Sequence, residues 1–96
     1  MPRPLRELQL PYGVPSDPVE AFAVVVRERR LELGLTQSDL EDDGSFDRSY
    51  VSKIELAKRT PDLLAIFHIA SKLKLEPNEL IKRVEVKLAS KRVPLT

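Results

Sequence analysis

Thr36-Gln37-Ser38-Asp39-Leu40, followed eleven residues after Gln37 by Arg48-Ser49-Tyr50-Val51-Ser52-Lys53-Ile54-Glu55, is the stretch whose reading decides the fold. Each segment reads as a short helix. The Thr36 hydroxyl can cap the first, with Asp39 at the capping-box position usually held by Glu or Gln, and that helix is expected to end near Asp43. Asp47 is the N-cap expected for the second, which should run to about Leu56. The apolar spacing of Phe46, Tyr50, Val51 and Ile54 sets its register: Val51 and Ile54 face inward, and Arg48, Ser49, Ser52 and Lys53 face outward.

Helical patterns continue on both sides. Upstream, Asp17 is an N-cap with Pro18 in the first turn. Phe22, Val25, Val26 and Leu33 recur at helical spacing, and Gly34 supplies the left-handed residue that ends a helix. Downstream, Pro61 and Asp62 introduce a fourth helix, with Leu63, Ile66, Phe67, Ala70 and Leu73 expected as its buried stripe. Glu76-Pro77-Asn78-Glu79 opens a fifth, in which Leu80, Ile81 and Val84 are apolar. Val84-Glu85-Val86-Lys87-Leu88 alternates weakly and reads as the end of that helix. The expectation is an all-α, five-helix bundle over residues 18–88. Residues 1–17 form a proline-rich N-terminal arm: five of the eight prolines fall by position 18, and proline lacks the backbone donor that a helix needs. Leu5, Leu8, Leu10 and Tyr12 could pack part of the arm onto the domain. Residues 89–96, with Lys91 and Arg92, are expected to fray as a basic tail.

Composition excludes several function classes. The 96 residues suit one small domain. There is no cysteine and one histidine, His68, so a disulfide framework, a thiol nucleophile and a cysteine or multi-histidine metal site are excluded. No apolar run approaches the ~20 residues of a membrane span, and Met1-Pro2-Arg3-Pro4 leads into no secretory signal, so a cytoplasmic location without membrane contact is expected. No triad, phosphate loop or paired carboxylates stand out, so neither an enzyme nor a cofactor is expected. Net charge is only +1; nucleic-acid binding must be argued from where charges sit. Arg48, Lys53, Lys58 and Arg59 against Glu55 leave +3 between positions 48 and 59.

Residues 22–84 resemble the lambda-repressor-like, Cro/C1-type (XRE) helix-turn-helix domain. The matching pieces are Arg30-Leu31-Glu32-Leu33-Gly34-Leu35-Thr36-Gln37, Leu40, Arg48 to Glu55, Lys58-Arg59-Thr60-Pro61 and Ile69-Ala70-Ser71-Lys72-Leu73. Three positions depart from the family pattern. Glu41 stands where a small alanine is usual, Ser45 replaces the turn glycine with Gly44 one residue early, and Ala57 occupies a common glycine position.

The resemblance implies that the helix at about 47–56 enters the major groove of double-stranded DNA, in the manner of a bacterial or phage repressor. Arg48, Ser49, Ser52 and Lys53 would read bases; Arg and Lys can reach guanine O6 and N7. The alternative is a solvated helix face. Thr36, Gln37, Lys58, Arg59 and Thr60 would contact phosphates, which positions the domain without reading sequence. Gln37 would be helped by the amides of its helix N-terminus, or is simply a first-turn surface residue. Tyr50 either packs beneath its helix or approaches the backbone. Arg30 and Glu55 would form a partly buried ion pair joining the first and third helices. Leu64, His68, Leu80, Ile81 and Val84 are candidates for a homodimer interface, with His68 on the exposed side of the fourth helix. The acidic Asp39, Glu41, Asp42 and Asp43 form either a solvated face or a contact for a basic protein partner such as polymerase.

The function implied is a sequence-specific transcriptional regulator acting as a homodimer on a pseudo-palindromic operator. Two alternatives stay open: an antitoxin that autoregulates its operon, with the arm or tail holding a toxin, and a helix-turn-helix module used for protein–protein interaction.

Overall fold

The computed structural model describes residues 15–42 and 44–91. Residues 1–14 of the expected arm, Asp43, and residues 92–96 of the expected tail lie outside the described residues. Four α-helices and one 3-10 turn make up the domain: α1 (Pro18–Glu32), the turn Ser38–Leu40, α2 (Arg48–Glu55), α3 (Leu63–Lys72) and α4 (Pro77–Lys91). No strand occurs among the described residues. No described helix is long and apolar enough to cross a membrane.

Short-range side-chain bonds set three of the helix starts. Asp17 accepts from Glu20 N at 2.9 Å, Asp47 from Tyr50 N at 2.8 Å, and Asp62 from Ala65 N at 2.8 Å. Each satisfies a donor that the first helical turn leaves unpaired. Left-handed residues end the first three helices. Gly34 (φ +73°) ends α1, with Leu35 N donating to Arg30 O and Gly34 N to Leu31 O. Ala57 (φ +58°) and Lys74 (φ +59°) end α2 and α3 through the same paired bonds. Neither of these two is glycine, so both carry left-handed strain.

The five-helix expectation is corrected to four. The second predicted helix is one 3-10 turn, because Glu41 turns extended and Asp42 bonds locally instead of propagating a helix. Thr36 and Asp39 form a reciprocal cap: Thr36 N donates to Asp39 Oδ2 at 2.7 Å, and Asp39 N to Thr36 Oγ1 at 3.2 Å. Glu41 is already extended (φ −72°, ψ 162°). Asp42 Oδ1 then accepts from Gly44 N at 2.7 Å and Phe46 N at 3.0 Å, and its own N–H reaches Phe46 O. These bonds build the connection from Leu40 to α2.

The core joins Phe22, Val25 and Val26 of α1 to Leu40, to Val51 and Ile54 of α2, to Ile69 and Ala70 of α3 with Leu73 just beyond it, and to Leu80 and Val84 of α4. Ion pairs Glu28–Lys87 and Glu32–Arg83 lie along α1 and α4 and show them antiparallel. Arg29 Nε donates to Leu73 O at 3.0 Å, tying α1 to the end of α3.

Two further expectations are corrected here. The buried stripe of α3 is Ala65, Ile69 and Ala70, with Ile66 partly buried; Leu63 and Phe67 face solvent. The helix is apolar nearly all round, so periodicity did not fix which side turns inward. Helix α4 runs to Lys91, through the first three residues assigned to the tail; Lys87, Leu88 and Ala89 are good helix formers, and Leu88 packs on the core.

Candidate nucleic-acid interface

Helix α2 has two unlike faces. Val51, Ile54 and Glu55 are buried, while Arg48, Ser49 and Lys53 are exposed. Ser52, expected fully outward, is half-buried. The exposed face is therefore basic and polar, and the buried one fixes its direction.

Glu55 is the centre of the fixing. It is 1% exposed, and its carboxylate accepts from Arg30 Nε at 2.6 Å, Arg30 Nη2 at 3.0 Å, Gln37 Nε2 at 3.1 Å and Arg27 Nη1 at 3.4 Å. Arg30 Nη1 also donates to Leu35 O at 2.9 Å. The Arg30 pair is bidentate, the geometry that gives guanidinium–carboxylate bonds their strength. Arg30, Glu55 and Gln37 thus lock α1, α2 and the start of the 3-10 turn together.

Gln37 is half-buried and spends one amide donor on Glu55. The element that follows it is three residues long. The expected help from a helix N-terminus is withdrawn, because so short an element has little aligned dipole. Thr36, Gln37 and Ser38 line a shallow hollow with Arg27, Arg30 and Arg48. Arg27 was missed by the sequence reading, although its place one turn before Arg30 puts the two on one helix face. Burial pulls its guanidinium below the ordinary range, Glu55 opposes this, and Arg30 adds to it.

Beyond α2, Lys58, Arg59 and Thr60 are exposed. The Arg59 guanidinium lies 5.1 Å from the centre of the Tyr50 ring. Tyr50 is half-buried and packs edge-on against Phe46 at 5.1 Å. Burial and Asp62 push its phenol up, with Arg59 opposing. Phe46 stacks on His68 at 4.6 Å, and His68 Nε2 lies 2.7 Å from Leu40 O. A carbonyl can only accept, so Nε2 carries the hydrogen. His68 is therefore half-buried and committed to an internal brace, which corrects its placement on the exposed side of its helix.

Two more interface candidates change. Leu80 is 0% and Val84 6% exposed, so both belong to the chain's own core. Leu64 and Ile81 are exposed, as are Leu63 and Phe67. The acidic run is also revised: Asp39 and Asp42 remain exposed, but their oxygens are occupied by backbone amides. Those bonds hold both carboxyls below the usual 3.8, the backbone bond from Thr36 acting most strongly on Asp39 and that from Gly44 on Asp42.

A short, rigidly braced helix with a basic outer face, set after a turn and against two further helices, defines a helix-turn-helix domain. The family model described as helix-turn-helix matches residues 26–80, more than half of the chain. A protein of Sinorhizobium fredii (strain NBRC 101917 / NGR234), described as "Uncharacterized HTH-type transcriptional regulator y4dJ", is 33% identical over 52 residues, which are 54% of this chain and 68% of that protein. No solved structure matches the chain significantly. The chain belongs to the Cro/C1-type (XRE) helix-turn-helix family.

Proposed function

We propose that the protein is a sequence-specific DNA-binding transcriptional regulator, acting as a homodimer on a pseudo-palindromic operator. The observation that carries this is the division of α2: Arg48, Ser49 and Lys53 are free to meet base edges because Val51, Ile54 and Glu55 hold the opposite face in the core. Thr36, Gln37, Lys58, Arg59 and Thr60 flank that helix and would seat the phosphates. Tyr50, half-buried between Phe46 and Arg59, would support the helix from beneath. With Leu80 and Val84 withdrawn, Leu64 and Ile81 remain as the apolar surface for pairing. Selection of bound fragments from random duplex DNA tests the reading. Enrichment of one site with two half-sites about 34–36 Å apart is expected; recovery of unrelated fragments would contradict it.

The exposed Leu63, Leu64 and Phe67 of α3 favour a second reading, in which this face holds a protein partner such as a toxin while α2 regulates the operon. A toxin gene beside this one, and a complex of its product with this chain that Phe67→Glu breaks, would favour the second reading.

A further inference from the structure

The exposed side of α2 is a donor surface. Its exposed residues are Arg48, Ser49 and Lys53. Neither the Arg48 guanidinium nor the Lys53 ammonium enters an ion pair among the described residues. The Ser49 hydroxyl can give or accept a hydrogen, so it does not choose between bases. The groups that would read other bases are absent or engaged. Adenine is read by a carboxamide, which gives a donor to N7 and an acceptor to the N6 amino group. Helix α2 contains no carboxamide, and Gln37, which lines the hollow with Arg48, is half-buried and turned to Glu55, its Nε2 at 3.1 Å. Cytosine is read by a carboxylate, which accepts from the N4 amino group. The carboxylate of α2 is Glu55, 1% exposed, and Asp47 just before the helix is bonded to Tyr50 N at 2.8 Å. Arg48 and Lys53 remain, and their donors match the base edge that presents two acceptors side by side, guanine O6 and N7.

We infer that the operator half-site is guanine-dependent: Arg48 and Lys53 each read a guanine through O6 and N7, and no residue of this face reads adenine or cytosine directly. This rests on the DNA-binding reading above and names the duplex chemistry that the reading leaves open. Lys53 follows Arg48 by five residues. That separation is about 7.5 Å along the helix axis, or about two base steps, so both guanines are expected, on either strand, within about four base pairs of each other.

A duplex selected from random DNA and altered one guanine at a time tests this. Replacement by 7-deazaguanine removes N7 and keeps base pairing; replacement by inosine keeps O6 and N7 and removes only the minor-groove amino group. In the unaltered protein, 7-deazaguanine is expected to weaken binding by about 5-fold or more at two guanines of each half-site, and inosine at the same positions to leave it nearly unchanged. Arg48→Ala should abolish the 7-deazaguanine penalty at one of the two and keep it at the other, and Lys53→Ala should do the reverse. Both residues are exposed, so neither variant disturbs the core. A selected site whose guanines all tolerate 7-deazaguanine would overturn the inference, and so would a penalty that both variants retain. A penalty found at adenines with 7-deazaadenine instead would also overturn it, while leaving the protein a sequence-specific binder. If no duplex is preferred over random DNA, the DNA-reading proposal fails together with it.

Discussion

Glu55 accepts from Arg30, Arg27 and Gln37 while almost wholly out of solvent, so one carboxylate joins α1, the 3-10 turn and α2. Burying ions is favourable only when they are paired and hydrogen-bonded, and removing one partner strands the other. Glu55→Ala is therefore expected to cost about 3–5 kcal/mol of stability. Thermal unfolding of Glu55→Ala, Arg30→Ala and the double variant forms a cycle. The double variant should lose clearly less than the two single losses added together; additive losses would show that the brace carries no coupling. Lys74 offers an opposite case. It is exposed and left-handed at the end of α3, where a β-carbon is strained. Lys74→Gly should stabilise the protein by about 0.5–1 kcal/mol, the relief of that strain less the extra chain entropy of glycine. A denaturant midpoint that fell would contradict this.

Two carboxylates with low pKa values hold the stretch before α2: Asp39 bonds Thr36 at the start of the 3-10 turn, and Asp42 bonds Gly44 and Phe46 in the connection after it. A folded-state pKa below its unfolded value gives stability that is present above the unfolded value and lost as pH falls through the folded one. Asp39 and Asp42 both lie on that side of 3.8. The protein is therefore expected to lose stability as pH drops below about 3.8, with the amides of Gly44 and Phe46 exchanging first. Asp42→Asn should flatten that loss, as read from unfolding midpoints between pH 5 and 2.5; an unchanged profile would exclude Asp42 as a source. At this scale the sequence was legible where the physics is short-range. Asp17, Asp47 and Asp62 cap helices because a carboxylate can reach an amide three residues on, and Gly34 ends α1 because it alone adopts its φ without strain. The 3-10 turn was not legible, because Asp39 and Asp42 can serve either a helix or a turn and their backbone partners decide. Nor was the inward side of α3, since Leu63, Leu64, Phe67, Ile66 and Ile69 surround it and only packing against α4, the 3-10 turn and the rest of the core chooses among them. In the site, the Arg30–Glu55 pair was visible from the family register. Arg27 and the Phe46–His68 stack were not, because both depend on how elements distant in sequence meet.

For the whole molecule, the core and the brace aim one small basic face outward while α3 presents Leu63, Leu64 and Phe67 on another surface. The homodimer proposed above pairs instead through Leu64 and Ile81, and its two reading helices must then lie one DNA turn apart. Sedimentation at micromolar concentration is expected to show a dimer, free or on DNA, and Leu64→Glu should shift it toward monomer; a monomer under both conditions would contradict the pairing. The central claim is that α2 reads bases. The ratio of affinities for a selected and a scrambled duplex, measured at one salt concentration for the unaltered protein, Arg48→Ala and Lys58→Ala, tests it most directly. A base contact discriminates by about 1–3 kcal/mol, whereas a phosphate contact weakens all duplexes alike. Arg48→Ala should lower the ratio by roughly 5- to 150-fold, and Lys58→Ala should leave it nearly constant while weakening both duplexes. An Arg48→Ala protein with the unaltered ratio would contradict the claim.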